Sequence, residues 1–246
     1  MFLALGLVLA LVTAAHAATG QEYFQEANQA YEAGDFGRAL LYYDSAATSV
    51  RSPSLFYNRG NAQFKLGSIG RAVADYNRAY ILDPSDADIR QNLEFIRAYR
   101  PDKMLAIPNP IVQFLTSLLR LPDLGTAKLA NGLLFLFALL VLALGLVLRL
   151  RPVYWIAIGL GVLWLYSTAS WVSWAAEASP DKAVVVVPEL TLRSGPGEEY
   201  KDIVIVHDGL EVAIRSRRGQ YVLVQAPGGE GGWAEESSFE QVFPAE

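Results

Sequence analysis

Along residues 20–100 apolar positions recur every three to four residues, and the rhythm breaks at Gly34, Pro53, Gly67 and Pro84. That recurrence places the apolar side chains on one face of a helix, with Gly and Pro marking its ends. The spacing predicts helices near 20–33, 36–49, 54–66 and 69–82, and a further one near 86–99. Two unbroken apolar stretches follow, 129–148 and 153–176, each about the ~20 residues that cross ~30 Å of hydrocarbon. Only residues 149–152, Arg149-Leu150-Arg151-Pro152, separate them, which predicts a tight turn between two transmembrane helices. Read instead as a buried hairpin of a soluble domain, the two stretches would lack enough remaining sequence to cover them. Past Pro180 the texture changes to short β-branched runs. AVVVV, IVIV, EVAIR, QYVLVQA and GGWAEES read as five strands, several divided by glycine-rich turns. Five strands in about 60 residues predict a small closed barrel. The fold class expected is therefore multidomain α and β.

The helical part contains an internal repeat. GDFGRALLYYDSA (34–46) and GSIGRAVADYNRA (67–79) match at Gly34/Gly67, Gly37/Gly70, Arg38/Arg71, Ala39/Ala72, Tyr43/Tyr76 and Ala46/Ala79, an interval of 33 residues. Such an interval belongs to helix–turn–helix arrays, whose units bury their faces only by stacking. Gly34 and Gly67 are expected to end the first helix of each pair. Ala39 and Ala72 let the two helices cross closely, Tyr43 and Tyr76 fill the space between them, and Ala46 and Ala79 admit the next unit. With Ala27 and Gly60 in the two first helices and Asp83-Pro84 closing the second unit, residues 20–86 resemble two tetratricopeptide repeats. The first unit departs from the pattern, running one residue short with Pro53 as its breaker. A third repeat fails at Glu94, where a small residue is needed, so ADIRQNLEFIRAYR reads as a capping helix with a polar outer face, and the helical domain spans 20–100.

What the resemblance implies is an α-helical solenoid whose concave face is lined by the first helix of each pair. The matching positions are Phe24, Asn28 and Tyr31, then Tyr57, Asn61 and Phe64. Two readings of these residues are open: a protein-binding groove for an extended peptide or loop, or aromatics packing the core with asparagines bonded to backbone. Some relatives of this kind hold chain-terminal carboxylates. Asn28 and Asn58 match their asparagines, but Phe24, Asp88 and Asn92 stand where Lys or Arg is required, so that specificity is not expected.

The first apolar block, FLALGLVLALVTAA followed by HAA, is short for a span and offers Ala15 and Ala17 to a signal peptidase. Residues 1–17 are read as a signal peptide, with an uncleaved anchor as the alternative, since no Lys or Arg precedes the run. Both arginines of the 149–152 turn sit at the membrane edge, which by the positive-inside rule places the turn in the cytoplasm. Tyr154, Trp155, Trp171 and Trp174 lie near the ends of the second span, where amphipathic rings favour the interface. Both soluble domains are then expected on the periplasmic side of a bacterial inner membrane. In the connector, 101–128, the apolar residues Ile111, Phe114, Leu115, Leu118 and Leu119 share one helical face. That helix either rests in the membrane surface or packs on the repeat cap. LRSGPG at 192–197, the EVAIRSRRGQYVLVQ hairpin and Gly232-Trp233 resemble a bacterial SH3-like (SH3b) domain over 182–246, with Tyr221 where that family often has Trp. Tyr200, Tyr221 and Trp233 are its surface candidates, core packing being the competing reading.

Charge and composition narrow the chemistry. A net charge of −5, with no dense Lys/Arg stretch, argues against a nucleic-acid partner. With no cysteine there is no thiol nucleophile, thiolate zinc site or disulfide. His16 and His207 are the two histidines, and His16 falls in the signal region, so a two-histidine zinc motif is not expected in the mature chain. His207, beside Asp208-Gly209, is expected to be solvated in a turn. GPGEEY and GGEGGW lack the strand–loop–helix setting of a phosphate cradle. No catalytic residue, cofactor or metal is expected. Repeats, hairpin and SH3b domain in this order, with DPSDADIRQNLEFIR and LRSGPG, resemble the BatE-type components of aerotolerance (Bat) operons. That resemblance implies envelope partners, namely von Willebrand A-type Bat proteins and indirectly a MoxR-type AAA ATPase, with an envelope assembly or stress role. The expected function is a non-enzymatic scaffold. The rivals are a cell-wall sensor binding peptidoglycan through the SH3b domain, and an enzyme with an unfamiliar site.

Overall fold

A computed structural model describes residues 19–99, 101–102, 110–149 and 151–243; the expected signal peptide lies outside them. The chain divides into two compact units. One is built from both ends of the chain, residues up to 105 and from 180 onward, and the other from the stretch between them, Ala106–Ser179.

The first unit begins with five helices: α1 over 19–32, α2 Phe36–Ala47, α3 Pro53–Lys65, α4 Ile69–Leu82 and α5 Ala87–Tyr99. Two of the breaks are built alike. Gly34 and Gly67 adopt positive φ of 78° and 79°, the left-handed turn that glycine enters without steric penalty. At each, the following residue reaches back five positions, Asp35 N–H to Ala30 O at 3.0 Å and Ser68 N–H to Gln63 O at 2.9 Å. The starts differ: Asp35 caps α2 through Arg38 N–H at 3.1 Å, whereas Ser68 makes no side-chain cap bond. Ser52 caps α3 with Pro53 in its first turn, where a missing N–H loses nothing. Ala27, Ala39, Ala46, Ala62 and Ala79 are fully buried around Tyr43, Leu55 and Phe56. Gly60 is a tight fit, since a Cβ there would lie 3.0 Å from the Tyr76 ring.

The same unit ends in seven antiparallel strands: β1 Lys182–Val185, β2 Glu189–Arg193, β3 Asp202–His207, β4 Glu211–Arg218, β5 Tyr221–Gln225, β6 Gly231–Glu235 and β7 Phe239–Gln241. Their order is β3-β2-β6-β5-β4-β1-β7, so the sheet is open, with β3 and β7 at its edges, where the sequence predicts a closed barrel. β2 meets β6 through a single register pair, Arg193↔Trp233. On the β7 side, the Arg78 guanidinium donates to Gln241 O at 2.5 Å and Val242 O at 2.6 Å, satisfying carbonyls at that end of the sheet. The sequence also predicts two strands too few: β2 is masked by its charged ends and β7 is only three residues long. One core gathers on one face of the sheet, from Ala183, Val185, Leu192, Val206, Val222 and Val224.

β1 is buried on both faces. Ala183 and Val185 join the sheet core, and Val184, fully buried and pointing the other way, lies on the side where β1 packs on α4. A continuous apolar run is what such a doubly covered strand requires.

In the second unit, α6 is Pro110–Leu119, α7 Leu124–Leu148 and α8 Arg151–Glu177. α7 and α8 are long and apolar enough to cross a membrane. At 1.5 Å per residue they measure about 38 and about 40 Å. Both exceed the apolar stretches read from sequence. α7 starts five residues early because Asp123 caps it through Thr126 N–H at 2.9 Å. α8 begins at Arg151, so Arg151 and Pro152 belong to its first turn, and Arg149 turns the chain at φ 53°. Asn131 donates to Thr168 at 2.5 Å across the pair. α6 is held to α8: Tyr166 O–H donates to Leu118 O at 2.8 Å, and Arg120 reaches Glu177 at 2.5 Å while lying over the Trp174 ring. Ile111, Val112, Phe114 and Leu115 stay exposed.

Candidate functional site

The six residues assigned to the groove lie on α1 and α3 and are all half-buried. Two of them organise a hydrogen-bonded ladder. Tyr43 O–H donates to Asn28 Oδ1 at 2.7 Å, and Tyr76 O–H donates to Asn61 Oδ1 at 2.6 Å, the same bond repeated 33 residues on. Each asparagine oxygen takes a second donor from the next first-type helix, Asn58 Nδ2 to Asn28 at 3.0 Å and Asn92 Nδ2 to Asn61 at 3.2 Å. With both lone pairs of Oδ1 used, the amino groups of Asn28 and Asn61 are turned the other way. Neither has a partner among the described residues, so each offers N–H donors one repeat apart.

Aromatic rings flank this ladder. Phe24 packs on Tyr43 at 6.0 Å, Tyr57 on Tyr76 at 6.0 Å, and Tyr31 meets Phe36 edge-on at 5.2 Å. Phe64 joins Phe95 and Tyr99 of α5, which are 57% and 64% exposed, making an uncovered aromatic patch on the last helix. Burial pushes the phenols of Tyr43 and Tyr76 well above their ordinary value, so both remain neutral donors. The asparagines therefore bond tyrosines and one another, where the competing expectation had them on backbone. Asn58, Asn92, Phe95 and Tyr99 extend the arrangement beyond the residues assigned from sequence. In the sequence Asn58 stands out only as a match to the carboxylate-binding pattern, and Asn92 only as a departure from it.

A second constellation joins the helices to the sheet. Asp75, fully buried, receives Arg59 through two bonds of 2.7 and 2.6 Å and Arg78 at 2.6 Å. Arg78 also reaches Glu240 at 2.7 Å. Burial alone would lower the Arg59 pKa, but its bonds to Asp75 and the charge of Asp44 raise it overall, so it stays charged. Alongside, Arg97 bonds Glu211 at 2.6 Å and Asn77 at 3.1 Å. Gly70 N–H at the start of α4 donates to Asp208 at 2.8 Å. A Cβ on Gly70 would stand 2.0 Å from Val185 O, so only glycine permits this approach.

His207 is not a solvated turn residue. It is half-buried at the end of β3, with its N–H on Asp102 Oδ2 at 2.6 Å and its Nδ1 2.8 Å from Asp102 Oδ1. Its neighbour Asp208 is engaged elsewhere, by Gly70, and desolvation raises the Asp208 pKa against that bond.

On the sheet, Tyr221 and Trp233 lie on the face opposite the core, with registers Tyr221↔Glu235 and Leu223↔Trp233, while Val222, Val224 and Ala234 face inward. Tyr200 is 41% exposed and covers Gly195, whose Cβ would clash with its ring at 2.3 Å. Tyr221 and Trp233 are thus half-buried and lie outside the core cluster of the sheet. Among the described residues no group of three or more His, Asp or Glu is placed to hold a metal ion. No protein-family model matches the chain, and no curated protein matches it.

Proposed function

We propose that the protein is a membrane-anchored scaffold of the BatE type, presenting a tetratricopeptide-like groove to an envelope partner without catalysing a reaction. The observation that carries this reading is the pair of asparagines, each held by a tyrosine and a neighbouring asparagine, with unused amide donors between aromatic rings. Two such donors suit successive backbone carbonyls of an extended segment, and the rings suit its side chains. The absence of Lys or Arg at Phe24, Asp88 and Asn92 disfavours a terminal carboxylate.

The same reading puts both soluble parts on one side of the membrane. They share a single compact unit although two long apolar helices separate them in sequence. Two crossings return the chain to the side it left, and the arginines of the turn favour a periplasmic placement of that side. Held at one surface, the groove and the sheet raise each other's effective concentration for a shared partner, so each contact can be weak. The partners proposed are von Willebrand A-type membrane proteins, with a MoxR-type ATPase acting through them.

In-cell cross-linking, detergent purification and mass spectrometry test this, comparing wild type with Asn28→Ala/Asn61→Ala. Loss of a von Willebrand A-type protein from the variant alone is expected; an unchanged partner set would sink the groove. A second reading, cell-wall binding through the sheet, is favoured by the outward placement of Tyr221 and Trp233. Under it, Tyr221→Ala/Trp233→Ala would lose co-purifying peptidoglycan fragments while the groove variant kept them.

A further inference from the structure

Where α2, α3 and α4 meet the end of β1 and the start of β7, a cleft of ≈ 290 Å³ opens to the surface. Its polar lining is Asp44, Arg59, Gln63, Arg71, Ser237 and Glu240, with Phe239 among the apolar walls. The size admits the end of one side chain and little more, being at the small limit of ligand sites. Which hydrogen-bonding groups are already used decides what it can hold.

Arg59 gives three of its five N–H donors, to Asp75 through Nε and Nη2 and to Asp44 Oδ1 through Nη1 at 3.2 Å. That leaves Asp44 Oδ2 without a donor among the described residues. Glu240 gives Oε1 to Arg78, and its Oε2 has only Arg71 at a loose 3.9 Å. Gln63 is 4% exposed, and its Oε1 is buried without any hydrogen-bond partner. A buried amide oxygen left unpaired is costly, so its place in the cleft wall calls for a donor from elsewhere. Two carboxylate oxygens and one amide oxygen are therefore acceptors in want of N–H groups. Desolvation raises the Asp44 pKa, against the opposing charges of Arg59 and Arg71.

We propose that this cleft binds an alkylguanidinium or alkylammonium head group, the tip of an arginine or lysine side chain offered by a partner protein. Such a group brings three to five N–H donors and one positive charge, matching the three unused acceptors. Arg71, 56% exposed, is the like-charged rim residue that an incoming cation displaces from Glu240. The site stands apart from the asparagine ladder and does not depend on it. Because its walls come from both the helices and the sheet, it exists only when the two are docked.

The test is calorimetric titration of N-acetyl-arginine methylamide into the purified full chain in detergent at constant ionic strength. Saturable one-to-one binding is expected, with none for the neutral citrulline analogue. Gln63→Leu and Asp44→Asn should each weaken binding about tenfold, the loss of roughly one hydrogen bond to a charged group. Asp44→Asn lies at the exposed edge and keeps the Arg59–Asp75 pair, so it reports even if Gln63→Leu misfolds. Arg71→Ala should tighten binding by removing the competing cation, and Asn28→Ala/Asn61→Ala should leave it unchanged. No saturable heat, equal binding of the citrulline analogue, or weakening by Arg71→Ala would each overturn the assignment.

Discussion

The two copies of the repeated segment, α2 and α4, share a sequence pattern and have different surroundings. In α2 only Ala39, Tyr43 and Ala46 are buried; in α4 ten residues are, running from Gly70 through Ala79 and including Ile81, with Arg71 and Tyr80 the gaps. Leu41 is 70% exposed, while its counterpart Ala74 is fully buried. The inner faces are equivalent, each with a tyrosine bonded to an asparagine. The outer faces have diverged: Tyr42, Asp44 and Ser45 of the first copy stand against Asp75, Asn77 and Arg78 of the second. Those three polar residues are buried because the sheet docks there, and each is hydrogen-bonded. The two copies thus share one face for stacking and differ on the other, where the second copy holds the sheet.

The largest effect should come from Arg78. Arg78→Met strips partners from buried Asp75 and from Glu240, and should cost about 3–5 kcal/mol, as for other broken buried ion pairs. Ser45→Ala, its counterpart in the first copy, should stay within about 0.5 kcal/mol. Denaturant unfolding of the purified chain, followed by near-ultraviolet dichroism, compares them; similar midpoints would erase the distinction between the faces. Next come the matched glycines. Gly70→Ala forces a Cβ into the Val185 carbonyl and should cost about 1–3 kcal/mol, whereas Gly37 has open space around it. Gly37→Ala should be neutral or stabilising by up to about 1 kcal/mol, through helix propensity. A Gly70→Ala protein as stable as wild type would mean the sheet does not sit where described.

The shared inner face should give the smallest and most symmetrical effects. Tyr43→Phe and Tyr76→Phe each remove one hydrogen bond and should cost about 0.5–1.5 kcal/mol. They also carry a pH signature. Burial raises both phenols above the ordinary value of 10.0, so above that pH the unfolded chain loses protons the folded one keeps. Stability therefore falls as pH rises past about 10, and the double variant should flatten that fall. An identical alkaline slope in wild type and variant would show the two phenols to be accessible.

Much of the helical part was legible because its signals are local. Glycine positions, alanine crossings and the 33-residue interval all act within one helix pair. The long apolar helices were legible for the same reason, though their ends were not: Asp123 extends α7, and Pro152 sits inside α8 without disturbing it. The closed barrel was misread because strand runs reveal alternation but not who pairs at the edges. Arg78, over 160 positions away, supplies donors at the β7 end and has no local signature. Its trace was the divergence between repeat copies, where an outer helical face gained Asp75, Asn77 and Arg78. His207 misled similarly, since its partner Asp102 is 105 residues distant and its sequence neighbour is occupied by Gly70.

The claim on which the rest depends is that both ends of the chain build one unit on one side of a membrane. The chain has no cysteine, so single reporters are clean. Ser54→Cys on α3, Ser216→Cys on β4 and Arg149→Cys at the turn would be labelled with an impermeant maleimide in intact spheroplasts. The account predicts that positions 54 and 216 react alike, and that 149 reacts only after the membrane is opened. Labelling of 54 and 216 from opposite sides would contradict it outright.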